Sequence, residues 1–256
     1  MNEILSLLIV GAIVFSSFTL EGITGFGCTV IALPFVTMLL GIRMTVPFLC
    51  VLSTLLSIYI FIRSYRSLCW KEYLFIALHV APGLPVGMYL FNRLPAAALC
   101  LLLACVMVIV GLHGFFKTVR EKQNILPAGL PPKNLFMRGI LFLGGIIHGA
   151  FGTGGPFVVI YASRALPEKG LFRLTLTMLW LTMNFIRIGE WMYQGTVFTP
   201  QFGKYLLMTL PFVVAGMIFG DYLHRKVNEH SFRQCVYSVL CVSGVVMFFA
   251  NLVKVI

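Results

Sequence analysis

The chain has 256 residues, of which 59% are hydrophobic and only 11% are charged, and its formal net charge at pH 7 is +11. Soluble domains contain about 25% charged residues, and disordered chains have low hydrophobicity, so this composition excludes both classes. A membrane-spanning helix needs about 20 apolar residues, and the chain is long enough for about ten such segments. We therefore expect a protein whose function is built inside the bilayer.

Ten apolar segments follow one another along the chain. They lack strand-like alternation, which predicts helices rather than the strands of a membrane barrel. Their approximate bounds are residues 4–20, 29–41, 44–62, 73–91, 96–116, 135–148, 156–166, 172–193, 203–222 and 232–251. The segments at 29–41 and 156–166 are too short to span a bilayer comfortably, and each follows a glycine-rich break.

Lysine and arginine residues are distributed unequally between the loops. If the N-terminus is outside and the segments alternate, fourteen basic residues fall in inner loops and four in outer loops. This bias follows the positive-inside rule and accounts for the high net charge without nucleic acid. It predicts a multi-pass protein of the plasma (inner) membrane with both termini outside. We expect membrane lipid and no nucleic acid as partners; a homodimer remains open.

The two halves of the chain share two motifs. One motif is the glycine-rich break and the other has the form G-x-x-x-G-x-Tyr-Leu. The breaks Glu21-Gly22-x-x-Gly25-x-Gly27 and His148-Gly149-x-x-Gly152-x-Gly154 align at an offset of 127 residues, and the second motifs start at Gly83 and Gly216. Five segments per half predict an all-α polytopic membrane protein of two inverted-topology repeats, in which the broken helices meet near mid-membrane. Its parts are a first repeat (1–116), a cytoplasmic linker (117–134) and a second repeat (135–256).

Short proline-containing helices follow both breaks, from Thr29 to Pro34 and from Pro156 to Ala162. With the later G-x-x-x-G-x-Tyr-Leu segments, which precede basic turns, they resemble the sulfite exporter TauE/SafE family over nearly the whole chain. The resemblance implies a permease for sulfur-containing anions such as sulfite or organosulfonates. Inverted repeats with helices broken at matching positions are typical of secondary transporters.

The breaks are the predicted substrate site. A helix that begins at mid-membrane leaves its first N–H groups unpaired, and its dipole adds about half a positive charge, so such an end favours an anion. Glycines let a ligand approach the backbone, and threonines add hydroxyl donors. The candidate substrate-binding residues are Gly22, Thr24, Gly25, Gly27, Thr29, Gly152, Thr153, Gly154 and Gly155. The alternative is that the glycines only permit close helix packing.

Arg187 is a charged residue inside an apolar segment, with Asn184 three residues before it. Intramembrane charges usually mark a pathway, and a guanidinium matches the oxygens of a sulfonate or sulfite. We therefore include both residues in the predicted substrate site. The alternatives are an ion pair of Arg187 with Glu190 and an interhelical hydrogen bond of Asn184.

Three ionisable residues in apolar surroundings are candidates for proton coupling: Glu21, His148 and His79. Glu21 and His148 occupy equivalent positions before the two breaks, and a histidine titrates near neutral pH. The alternative for this pair is a structural contact without a role in transport.

The sequence contains no G-K-[ST] P-loop, no H-E-x-x-H motif and no G-x-S-x-G motif. These motifs mark ATP sites, zinc proteases and serine hydrolases. We therefore expect that the protein is not an enzyme and that it binds no cofactor and no metal. Transport without ATP is passive or ion-coupled, and our expectation is export by alternating access. Alternatives are an anion channel, a proton-coupled carrier of a carboxylate, a cation carrier with Glu21 as ligand, and an intramembrane enzyme.

Overall fold

The computed structural model describes residues 3–24, 28–64, 68–121, 133–166, 168–195 and 197–223, with 238, 241–242, 244–245, 247–249 and 251–252 near the C-terminus. Within these ranges the regular structure is entirely α-helical, which confirms the predicted all-α fold. The helices are α1 (Glu3–Thr24), α2 (Cys28–Leu40), α3 (Ile42–Ser64), α4 (Trp70–Val80), α5 (Gly83–Arg93), α6 (Ala96–Glu121), α7 (Leu135–Phe151), α8 (Gly155–Ala165), α9 (Lys169–Gln194) and α10 (Pro200–Leu223). The predicted segment at 232–251 lies largely outside the described residues.

Among the described residues, five helices are long and apolar enough to cross a membrane, namely α1, α3, α6, α9 and α10. Large apolar side chains such as Ile109 on α6 and Leu207 on α10 are exposed on the protein surface. Water disfavours such surfaces, whereas lipid does not, so these faces are suited to the bilayer. Helices α2 and α8 have 13 and 11 residues. At 1.5 Å per residue they extend about 20 Å and 17 Å, short of the roughly 30 Å hydrocarbon core.

The predicted segment at 73–91 corresponds to two helices, α4 and α5, rather than to one. The two helices are bent by 43° relative to each other and together form a sixth candidate span. The bend lies at Ala81 and Pro82, and Pro82 precedes the first residue of α5. Proline has no backbone N–H, and its ring collides with the carbonyl four residues earlier, so it kinks or interrupts a helix.

The region between the predicted repeats is partly helical. Helix α6 continues to Glu121 and therefore occupies the first residues of the predicted 117–134 linker. Residues 122–132 lie outside the described ranges. Helix α7 begins where the sequence predicts, because the side chain of Asn134 accepts a hydrogen bond from the Met137 N–H at 3.1 Å and caps the helix.

Close glycine contacts join the two halves. Helix α1 packs along α10, and a Cβ added to Gly22 would lie 2.9 Å from the Cα of Gly220. Helix α5 packs along α7, where a Cβ on Gly87 would overlap the Ile146 carbonyl and one on Gly149 would lie 3.0 Å from the Cα of Gly87. These glycines let the helix backbones touch, which is the simpler of the two sequence interpretations.

The contacts between the halves are reciprocal. The first helix of one half, α1, packs on the G-x-x-x-G helix of the other half, α10, and α7 packs on α5 in the same way. Helices α3 and α9, at equivalent places in the two halves, pack against each other. A two-fold related pair of repeats would produce this exchange of partners. The inverted topology itself stays a prediction.

Polar contacts show which helix ends lie together. Asp221 at the end of α10 binds Arg63 at the end of α3 and Arg173 near the start of α9, at 3.1 Å and 3.3 Å. We call this side the basic end. On the other side, Arg43 near the start of α3 donates to the carbonyls of Phe91 and Leu94 at the end of α5, at 2.5 Å and 2.6 Å. This placement agrees with helices that alternate in direction, and the side of the membrane that each end faces stays a prediction.

Candidate functional site

A cavity lies between the two breaks. Its empty volume is about 290 Å³ when the part open to the surroundings is counted. It is bounded by residues of both breaks and by residues of α3 and α9. The lining residues are Glu21, Thr29, Val30, Ser53, His148, Gly152, Thr153, Gly155 and Trp180. Two regions that are 127 residues apart in sequence therefore meet at one site.

The second break owes its shape to Gly152. Helix α7 ends at Phe151, and Gly152 adopts a left-handed conformation with φ of 68° while its N–H donates to the His148 carbonyl at 2.7 Å. Residues with a side chain rarely adopt this backbone conformation, which explains why a glycine occupies position 152. A Cβ at this position would meet only Thr29, at 3.9 Å, so the space beside Gly152 opens toward the start of α2. Helix α8 then begins at Gly155 without a side-chain cap.

Thr153 supplies a free hydroxyl to the cavity. The residue is 5% exposed, and its Oγ1 has no hydrogen-bond partner among the described residues. A buried hydroxyl without a partner is unfavourable by about 1–3 kcal/mol. Such a group in a cavity wall indicates a place where a ligand or water supplies the missing bond.

His148 is held by neighbours on three sides. Its Nε2 lies 3.1 Å from Asn184 Oδ1, and the Gly154 N–H lies 3.5 Å from its Nδ1. Its ring stacks on Trp180 with 5.2 Å between ring centroids. Because Nδ1 faces a donor, these contacts assign the proton to Nε2 and make the imidazole neutral. Asn184 thus forms the interhelical hydrogen bond that was its alternative interpretation.

Glu21 lines the cavity with His148, and both are buried, at 4% and 2% exposure. The structure therefore brings together two of the three residues considered for proton coupling. The third, His79, is not among the lining residues. Its Nδ1 lies 2.7 Å from the Phe75 carbonyl, one turn earlier in α4.

Arg187 is completely buried but does not line the cavity. Its Nη1 donates to Glu190 Oε2 at 2.6 Å, so the ion pair that was its alternative interpretation is present. Its guanidinium carbon lies 4.2 Å from the centre of the Trp191 ring and 5.1 Å from that of Phe91. Nε and Nη2 have no partner among the described residues. The pair with Glu190 therefore uses only part of the donor capacity of this side chain.

The remaining predicted site residues either make packing contacts or lie outside the described residues. Gly22 packs against Gly220, and a Cβ on Gly154 would lie 2.8 Å from the Cβ of His148, so both glycines serve packing. Gly25 and Gly27 lie outside the described residues. The same applies to the side chain of Thr24, whose backbone ends α1.

Sequence reasoning missed three lining residues, Val30 on α2, Ser53 on α3 and Trp180 on α9. Ser53 and Trp180 are separated by the same 127 residues that relate the breaks. Extending that alignment into the third helix of each half would have identified these two.

Comparison with known proteins identifies the family of the chain. A family model described as sulfite exporter TauE/SafE matches residues 8–247, which include both breaks and all of α9. A curated relative, the "Probable inner membrane transporter protein TsaS" of Comamonas testosteroni, is 24% identical over 181 residues, covering 71% of this chain and 73% of the relative. No solved structure matches. The chain is therefore a multi-pass inner membrane transporter that belongs to the sulfite exporter TauE/SafE family.

Proposed function

We propose that this transporter exports a small sulfur-containing anion, such as sulfite or an organosulfonate, and that the substrate occupies the cavity between the breaks. The observation that carries the proposal is the free hydroxyl of Thr153 in a cavity bounded by both breaks. The name of the matching family supports a sulfur oxyanion as the substrate.

The cavity wall has donors suited to such an anion. Three lining residues from different helices or breaks carry hydroxyl groups, namely Thr29, Ser53 and Thr153. The uncapped start of α8 adds backbone N–H groups and the positive end of a helix dipole. A sulfonate or sulfite offers three oxygen acceptors on one small head, so several donors from different elements are able to bind it at once.

Alternating access would use the reciprocal packing of the halves. The contacts of α1 with α10 and of α5 with α7 are made through glycines, with backbone against backbone. At these points no side chain lies between the two backbones, although beside them Phe15 of α1 stacks on Phe219 of α10 with 6.1 Å between ring centroids. Movement of the halves about these contacts would expose the cavity first to one side and then to the other.

Export follows from the membrane potential. The cell interior is negative, and each elementary charge that crosses 100 mV changes in free energy by about 2.3 kcal/mol. A monovalent anion is therefore driven outward without coupling. The sequence contains no ATP-binding P-loop that would supply another source of energy.

A second candidate function is proton-coupled transport of a small organic anion such as a carboxylate. It is favoured by the location of Glu21 and His148 in the wall of the same cavity. A carboxylate beside a bound anion repels it unless the carboxylate carries a proton. One proton moved with each monovalent anion makes transport electrically neutral, so a pH gradient would drive it instead of the voltage.

The test is anion flux in proteoliposomes, first with an imposed voltage and then with an imposed pH gradient. Saturable, voltage-driven sulfite flux that persists in Glu21→Gln is the result expected for uncoupled export. Flux that needs the pH gradient and is lost in Glu21→Gln would establish the proton-coupled alternative. The matched control is Glu72→Gln, a buried acid outside the cavity whose carboxylate binds Lys133 and Tyr161 at 3.0 Å and 2.7 Å.

Two further readouts separate the remaining alternatives. Flux that rises linearly with substrate concentration, without saturation, would identify a channel. Transport of a cationic analogue in preference to methanesulfonate would identify a cation carrier and would refute the assignment of an anionic substrate.

A further inference from the structure

We propose that Arg187 and Trp191 form a second binding station for the same anion, separate from the cavity and closer to the C-terminal end of α9. The inference rests on the proposed anion transport. It assigns a role to Trp191 and places Arg187 outside the cavity, at a station of its own.

Three buried N–H donors cluster at this place without acceptors among the described residues: Arg187 Nε, Arg187 Nη2 and Trp191 Nε1. Arg187 is 0% exposed and Trp191 is 1% exposed, so lipid or bulk water does not reach them in this conformation. Buried polar groups are nearly always paired, and a charged donor without an acceptor is particularly unfavourable. Three such donors on adjacent turns of one helix indicate a missing acceptor with several oxygens.

The geometry leaves one edge of the guanidinium for that acceptor. Trp191 and Phe91 lie on adjacent sides of the guanidinium carbon, with ring centres at 4.2 Å and 5.1 Å from it and 6.4 Å from each other, and Nη1 is already bound to Glu190 at 2.6 Å. Nε and Nη2 lie side by side on the remaining edge. This edge donates two parallel hydrogen bonds to two oxygens of one anionic group, and Trp191 Nε1 adds a third donor nearby.

The local charge favours a monovalent anion. The Arg43 guanidinium lies 5.1 Å from the centre of the Phe91 ring, the same ring that Arg187 contacts. Arg43 donates to two backbone carbonyls rather than to a carboxylate. Glu190 is the acidic group bound to Arg187. The two arginines therefore contribute two positive charges here, against one negative charge on Glu190. A sulfonate, with a single negative charge and three oxygens, would restore neutrality.

The station is displaced along α9 from the cavity. Trp180, Asn184, Arg187 and Trp191 follow one another at helical spacing and are all buried, which places them on one face of the helix. Trp180 lines the cavity, and Arg187 lies seven residues further on, or about 10 Å along the helix axis. An anion moving between the cavity and the C-terminal end of α9 would pass the station.

Tryptophan fluorescence distinguishes the two places, because the chain has three tryptophans and each has a different location. Trp180 lines the cavity, Trp191 belongs to the proposed station, and Trp70 is 58% exposed on the surface. We would titrate methanesulfonate into two purified full-length variants. W70F/W180F retains only Trp191, and W70F/W191F retains only Trp180.

The expected result is a saturable response of each tryptophan with a different midpoint. Adding Arg187→Lys, which loses the two-pronged edge, should raise the Trp191 midpoint by about tenfold or more and change the Trp180 midpoint much less. Adding Thr153→Val should instead raise the Trp180 midpoint and change the Trp191 midpoint much less. A response of Trp180 without one of Trp191, or two midpoints that always shift together, would overturn the second station and leave the cavity intact. No response at either tryptophan and no flux would contradict the anion transport itself.

Transport kinetics give an independent measurement. Trp191→Phe keeps an aromatic ring beside Arg187 and removes the N–H group, which has no partner among the described residues, together with one ring of the buried indole. Because the smaller ring leaves a cavity that lowers stability, the thermal unfolding temperature is measured beside KM. We expect a several-fold higher KM for methanesulfonate, whereas the matched control Trp70→Phe should leave KM unchanged. An unchanged KM in both variants would refute the role of Trp191.

Discussion

The unpaired hydroxyl of Thr153 allows an unusually clean test of the cavity, by replacement with valine. Valine has nearly the same shape as threonine and lacks only the hydroxyl. In the structure this hydroxyl is buried and has no partner among the described residues, so its removal relieves an unfavourable burial of about 1–3 kcal/mol. Thr153→Val should therefore be as stable as the parent protein or more stable. A loss of transport in this variant would not result from unfolding.

The expected loss follows from the bond that the substrate would supply. A hydrogen bond to a charged group contributes about 1.5–3 kcal/mol, which corresponds to a change of about 10- to 150-fold in affinity. We expect KM for sulfite to rise by that factor in proteoliposomes, while thermal unfolding in detergent occurs at an equal or higher temperature.

Thr37 provides the matched control. Its hydroxyl is also buried and without a partner among the described residues, at 8% exposure against 5% for Thr153, but Thr37 does not line the cavity. Thr37→Val should show the same stability and an unchanged KM. Equal effects on KM in both variants, or an unchanged KM in Thr153→Val, would refute the reasoning.

Three other predictions concern packing, backbone conformation and topology. Gly149→Ala places a methyl group in the backbone contact of α7 with α5 and should lower the unfolding temperature in detergent, whereas Gly139→Ala on the same helix meets nothing within 4 Å and should be neutral. Gly152→Ala should cost about 1–2 kcal/mol of stability because φ is 68° there, and a parent-like unfolding temperature would contradict this conformation. In a background without native cysteines, Tyr193→Cys should react with an impermeant reagent from outside and Leu135→Cys should not; the reverse pattern would refute the predicted orientation.

The sequence was sufficient to predict most of the helices and the meeting of the two breaks at one site. Hydropathy and glycine spacing are local properties, and they predicted α7 from Leu135 and the short helices α2 and α8. The repeat offset correctly related Glu21 to His148, which meet at the cavity. The bend at Pro82 was not predicted, because prolines also lie inside the continuous helices α2, α3 and α10 and the sequence does not show which proline bends its helix.

Partners across helices could not be predicted, because they depend on packing between elements that are distant in sequence. Asp221 binds Arg63 and Arg173, 158 and 48 residues away. The contacts of Arg187 were likewise only partly predictable from the sequence. The i+3 spacing indicated its pair with Glu190, but only the packed structure shows that two of its nitrogens are left without an acceptor among the described residues.

The break motif combines two physical roles, and this is why its glycines could not be assigned separately from sequence. In the second break, Gly149 contacts the backbone of α5, whereas Gly152, three residues later, opens the cavity toward Thr29. In the first break, Gly22 makes the equivalent contact with α10. A residue that packs against the other half therefore stands within one helical turn of the residues that would touch substrate. Any shift of α5 relative to α7, or of α10 relative to α1, must then change the cavity wall directly. Under the proposed transport, coupling between the movement of the halves and the binding of substrate would require no distant pathway, because the packing glycines and the cavity residues are neighbours in the same break.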